Sequence, residues 1–157
     1  AQREGGGEKP QEEAAAVLKQ FGIAYEMRVL SAHRCPEEVA HFSRGAAANG
    51  FSVVIAGAGM AAHLPGVIAA STMLPVIGVP IDASSLGGLD ALLSMVQMPP
   101  GVPVATVGIG KAGAKNAALL AVQTLALHDE GLQKRLISYR ESQRQAVLAA
   151  DREVEKV

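Results

Sequence analysis

One cysteine, no tryptophan and a formal charge of -1 set the first bounds on this chain of 157 residues. A lone Cys35 can form neither an internal disulfide nor a multi-cysteine zinc site, and such usage fits a reducing compartment, with the cytoplasm as the default. Aromatic residues make up 3% of the chain, too few for the stacking platforms that hold single-stranded nucleic acid. Fourteen Lys and Arg against 15 Asp and Glu create no basic field for a polyanion, so any phosphate recognition must be local. No apolar run approaches the roughly 18 residues of a membrane span, and the opening AQREGGGEKP lacks the apolar stretch of a secretory signal.

What is present is small and apolar. Hydrophobic residues make up 49% of the chain, and 17 Gly and 28 Ala allow backbones to approach closely. The length suits one domain. Ala15, Val17, Leu18 and Phe21 recur at helical spacing and Gly22 follows as a stop, which predicts a helix over 12–21. Residues 25–30 read as a short strand, and Pro36-Glu37-Glu38 as the first turn of a helix running to about Ala48. Compact β-branched runs at 52–56, 75–79 and 102–107 read as further strands, with helices over 64–70, 89–96 and 114–127 between and after them. Continuous rather than alternating apolar strands, each followed by a helix, predict an α/β protein with a parallel sheet covered on both faces. Residues 11–128 form that domain. Residues 129–157 read as a long terminal helix whose thin apolar stripe needs a neighbouring surface, such as a second subunit, and 1–10 as an atypical leading segment.

Ligands of parallel sheets collect at the carboxyl ends of the strands, which directs attention to the loops there. Ser31-Ala32-His33-Arg34 places a hydroxyl, a titratable ring and a permanent cation within four residues, suited to proton transfer beside an anion clamp. The bland alternative is a turn that caps the next helix. The loop 57–66 invites three readings. Gly57, Gly59 and Ala62 fit a dinucleotide fingerprint, with Asp82 where a ribose-binding acid is expected, which would make the chain a dinucleotide-dependent oxidoreductase. Pro65 argues instead for a loop that stays open through His63 before its helix begins. The third reading is small residues serving tight packing.

Weaker signals surround these. Residues 81–88 would either wrap a ligand or form a tight connection. The run 108–113 resembles a phosphate loop, but Ala105 and Ala112 replace its first Gly and its hydroxyl residue. His33, His41, His63 and His128 show no metal-ligand spacing with carboxylates. Cys35 beside Arg34 is either an activated thiol or a small packing residue.

The motifs Ser31-Ala32-His33-Arg34-Cys35-Pro36 and Gly57-Ala58-Gly59-Met60-Ala61-Ala62-His63-Leu64-Pro65-Gly66, with Ser94-Met95-Val96-Gln97-Met98-Pro99 and the run 108–121, closely resemble the bacterial class I N5-carboxyaminoimidazole ribonucleotide mutases. The similarity extends over about 12–136. It implies a flavodoxin-like three-layer α/β/α sandwich, a homo-octamer and no metal or organic cofactor. It also implies an isomerase of de novo purine biosynthesis that moves a carboxylate from N5 to C4 of an aminoimidazole ribonucleotide. An ATP-dependent synthetase would supply the substrate. By the same resemblance His33 matches the acid–base residue and Ser31 and Arg34 the phosphate-side contacts. Gly57, Ala58, Gly59, Ala61, His63 and Leu64 match the loop that encloses the imidazole and carboxylate. The family opens with an apolar strand ending in a Gly-Ser-x-Ser-Asp loop, and nothing before Gln11 matches it. The expectation is therefore a first strand missing or altered, with an inactive octameric homologue as the alternative to an active enzyme. Cys35 stands where the family more usually has Thr.

Overall fold

The computed structural model describes residues 9–156. The chain divides into two compact units, 1–121 and 122–157. In the first, α1 (Pro10–Gln20) opens with Pro10 at its start, and the Lys9 N–H donates to the Glu12 carboxylate at 2.8 Å, closing the first turn. Its buried positions are Ala14, Ala15 and Val17. The α2 helix (Pro36–Gly45) begins at Pro36 with Glu37 and Glu38 in its first turn, where carboxylates favour the positive helix end. It stops three residues short of the expected Ala48.

Three parallel strands follow in the order in which they are paired: β1 (Val54–Gly59), β2 (Val76–Ile81) and β3 (Ala105–Thr106). Register runs Val54 to Val76 and Gly59 to Ile81, then Ile77 to Ala105. Five of the six β2 positions are buried, which explains its unbroken apolar run. Pro80 is tolerated in this central strand for a reason the ladder supplies. Gly78 accepts from Val107 on the β3 side, so Pro80, two residues on, faces the same side beyond the two-residue β3, where no bond is lost.

The α3 helix (Leu64–Ser71) packs on β1, β2 and α2, and α4 (Leu89–Val96) packs on all three strands. One core cluster joins Val39, Val54, Ala56, Ile68 and Val76, with Leu30, Phe42 and Leu64 against it. A second joins Ala62, Ala91 and Met95, with Ala58 against it. The α5 helix (Gly110–Ala126) crosses the boundary between the units, and α6 (Glu130–Val154) makes up most of the second. Asp129 caps α6 by accepting from the Leu132 N–H at 3.0 Å.

Residues 25–30 correct the sequence reading. They form no strand, although they precede a strand-end loop as expected, because they have no backbone partner among the described residues. β1 also differs: it begins two residues later than the β-branched run and continues through Gly59, because its pairing with β2 reaches Ile81. The run 102–107 contributes only the two residues of β3. Of the leading segment 1–10, residues 1–8 lie outside the described residues.

Candidate active site

The loop after residues 25–30 is a compact turn built on Ser31 and Cys35. The Cys35 N–H donates to the Ser31 carbonyl at 2.9 Å, and the Arg34 N–H donates to Ser31 Oγ at 3.3 Å. Cys35 Sγ accepts from the Ser31 N–H at 3.1 Å and donates to the Ser31 carbonyl at 3.2 Å. The thiol thus ties the turn together, and the Ser31 hydroxyl serves the backbone rather than projecting free. His33 and Arg34 lie at the exposed crest. The Arg34 guanidinium has no hydrogen bond or ion pair among the described residues, leaving its fork open to an anion.

The second loop is shorter than the sequence reading drew it. Gly57, Ala58 and Gly59 are strand residues of β1, 60–63 make the open turn, and Leu64, Pro65 and Gly66 already belong to α3. Gly59 is required there: a Cβ on it would lie 2.6 Å from the Cβ of Ala83. Met60 follows with φ 56, a left-handed conformation that side chains rarely adopt, and such strain collects at ligand-binding turns. Ala61 is exposed, whereas Ala62 is buried against Ala91 and Met95 and pins the turn to α4. His63 sits at the cap position of α3, ahead of Pro65 in the first turn.

The two loops meet at their histidines. His33 Nε2 lies 2.7 Å from His63 Nδ1, with the rings edge to face at a centroid distance of 4.8 Å. A contact of this length between two ring nitrogens holds one proton: one nitrogen donates it and the other accepts. The outer nitrogens, His33 Nδ1 and His63 Nε2, remain for a ligand. The arrangement joins a proton-carrying pair to an unengaged guanidinium where the loop 31–35 meets the turn after β1. Sequence reasoning marked both histidines without showing that they touch. The strain at Met60 carried no signal, since a positive φ at methionine is set by its surroundings.

The dinucleotide reading of Gly57, Gly59, Ala62 and Asp82 is corrected by the same geometry. That fingerprint needs its glycines in the turn that opens a helix, and here both lie inside β1, with α3 starting only at Leu64. The loop 81–88 is a tight connection, with Gly87 and Gly88 at positive φ and the Leu86 N–H donating to Ser84 Oγ at 3.1 Å. In the run 108–113 a Cβ on Gly113 would fall 1.5 Å from the Gly108 carbonyl oxygen, so this glycine serves backbone approach.

A parallel sheet flanked by helices, with the turn carrying His63 at the carboxyl end of β1 and the His33 loop against it, defines a flavodoxin-like α/β protein with a strand-end site. Comparison with known proteins narrows the class: the chain belongs to the AIR carboxylase family, whose sequence profile matches residues 8–146. It is 55% identical over 134 residues to the N5-carboxyaminoimidazole ribonucleotide mutase of Brucella melitensis, covering 85% of this chain and 83% of that protein. Identity to the mutase of the same name from Pyrococcus abyssi is 60% over 129 residues, 82% of this chain and 73% of that one. The Escherichia coli K12 mutase is 52% identical over 135 residues, 86% and 80%. Among solved structures, Treponema denticola PurE superposes with a TM-score of 0.79 at 31% identity, covering 90% of this chain and 87% of that one.

Proposed function

We propose that this chain is an N5-carboxyaminoimidazole ribonucleotide mutase, converting its substrate to 4-carboxy-5-aminoimidazole ribonucleotide in purine biosynthesis. The observation that carries the proposal is the 2.7 Å contact of His33 with His63 beside the open Arg34, in a chain so similar to proteins bearing that name. In the reaction the bond between N5 and the carboxyl carbon breaks and N5 gains a proton. A new carbon–carbon bond forms at C4, and the C4 proton leaves. The ring and its charge are otherwise conserved, so one acid–base group that gives and takes a proton suffices.

His33 is that group. Arg34 anchors the phosphate from the same turn, and Ser31 shapes that side by accepting the Arg34 N–H on its hydroxyl. Gly57, Ala58, Gly59, Ala61, His63 and Leu64 form the small-residue wall that holds the imidazole and keeps the carboxyl group from water. The working assembly in this reading is a cytoplasmic homo-octamer, fed by an ATP-dependent synthetase, with α6 lying on a neighbouring subunit. Support for subunit contacts comes from the exposed stripe Leu89, Leu93 and Val96 on α4 and from exposed Ile137, Val147 and Val154 on α6.

The test is turnover of the carboxyamino nucleotide by the wild-type chain and two variants. His33→Asn should lower kcat by about 100-fold or more while substrate still binds, and Arg34→Ala should act mainly by raising KM. A wild-type chain that binds but does not convert the nucleotide overturns the function. Near-normal kcat in His33→Asn overturns the role of that residue alone.

A further inference from the structure

The chain passes from the sheet to its second histidine through a short turn, and both ends of that passage are fixed. β1 stays paired with β2 through Gly59, opposite Ile81, so its direction is set up to that point. On the far side the Val67 N–H donates to the His63 carbonyl at 2.9 Å, which seats His63 on the first turn of α3. Between them the His63 N–H donates to the Ala61 carbonyl at 2.8 Å, a bond that closes a tight turn centred on Ala62. Ala62 itself is buried against Ala91 and Met95. The change of direction therefore falls on Met60, the one non-glycine residue with a positive φ among the described residues, at 56°. Its side chain is 60% exposed, so the fixed backbone on either side, rather than side-chain packing, holds that conformation.

We propose that Met60 is a positioning residue: its left-handed backbone sets the distance between His63 Nδ1 and His33 Nε2, which lie 2.7 Å apart. His33 cannot follow a shift of His63, because its own loop is closed by the Cys35 N–H and Sγ, which donate to the Ser31 carbonyl at 2.9 and 3.2 Å. An extended conformation at residue 60 would send the following residues in another direction and part the two rings. Without its partner nitrogen the His33 ring loses the hydrogen bond that orients it, whereas Arg34, on the other loop, keeps its place. The effect on the proposed reaction therefore belongs in kcat, with KM little changed. This kinetic consequence rests on the proposed reaction, whereas the distance between the rings does not.

Variants of the full chain graded by their tolerance of the left-handed region test this, with histidine as the only 15N-labelled residue. The chain has four histidines, and the paired nitrogens should give one protonated and one bare signal, coupled across their shared proton. Met60→Gly and Met60→Asn accept a positive φ, and Met60→Ala removes the side chain at a similar backbone cost. All three should keep the coupling and hold kcat within about 3-fold of wild type. Met60→Ile, β-branched and ill suited to a positive φ, should lose the coupling and lower kcat by about 10-fold or more, with KM within about 3-fold. Met60→Thr, also β-branched, takes its place should that variant fail to fold. In a His63→Asn background Met60→Ile should lower kcat no further, as expected of a residue that acts through His63. Coupling retained in Met60→Ile, coupling lost in Met60→Ala, or a further loss of kcat in the double variant overturns the inference. A wild type that does not convert the nucleotide overturns the reaction alone, and the couplings still decide the role of Met60.

Discussion

His33 and His63 lie 30 positions apart in the chain and 2.7 Å apart in space, so their chemistry is a property of the pair. What holds them together is largely made of small residues. Gly59 has no room for a methyl group beside Ala83, and Ala62, buried against Ala91 and Met95, anchors the turn just before His63. Gly59→Ala should therefore destabilise the chain by roughly 1–3 kcal/mol through overpacking, measured as a lower denaturant midpoint at unchanged slope. It should also cut turnover more than stability alone explains, because the displaced segment leads directly into the His63 turn. An unchanged midpoint would show that Ala83 can move aside.

At the scale of the element, helix starts are chemically marked and strands are not. Pro10, Pro36 and Pro65 all lie in first turns, and Asp129 caps α6 through its side chain. Asp129→Ala should cost about 1 kcal/mol of helix stability, read as a loss of helicity on heating. Met95 joins helix packing to the site, since it is fully buried and shares a cluster with Ala62. Met95→Ala should lower stability by about 2–5 kcal/mol, and differential scanning calorimetry should record a Tm several degrees lower. Strand boundaries are a matter of partners: β1 continues through two glycines because β2 runs beside it, and residues 25–30 are no strand because they have no backbone partner among the described residues.

For the whole molecule, the 25-residue α6 contributes one buried residue, Leu132. A helix with so little buried surface gains most of its stability from a packing partner, and the proposed partner is a neighbouring subunit. Removing residues 132–157 should lower the oligomer mass in light scattering, and an unchanged mass would count against that role. Local information along the chain was enough to determine the class of fold and the existence of each helix among the described residues. Periodicity, prolines and glycine stops act over a few residues and do not depend on distant contacts. The apolar run of β2 was legible for a related reason, since burial on both faces writes itself into consecutive residues. Only the tertiary structure decided that Gly57 and Gly59 belong to a strand rather than to a nucleotide-binding turn, that His33 meets His63, and that residues 25–30 have no backbone partner among the described residues. Each of these is set by what lies beside a segment in space, and backbone pairing and side-chain contact between distant segments leave no local mark in the order of residues.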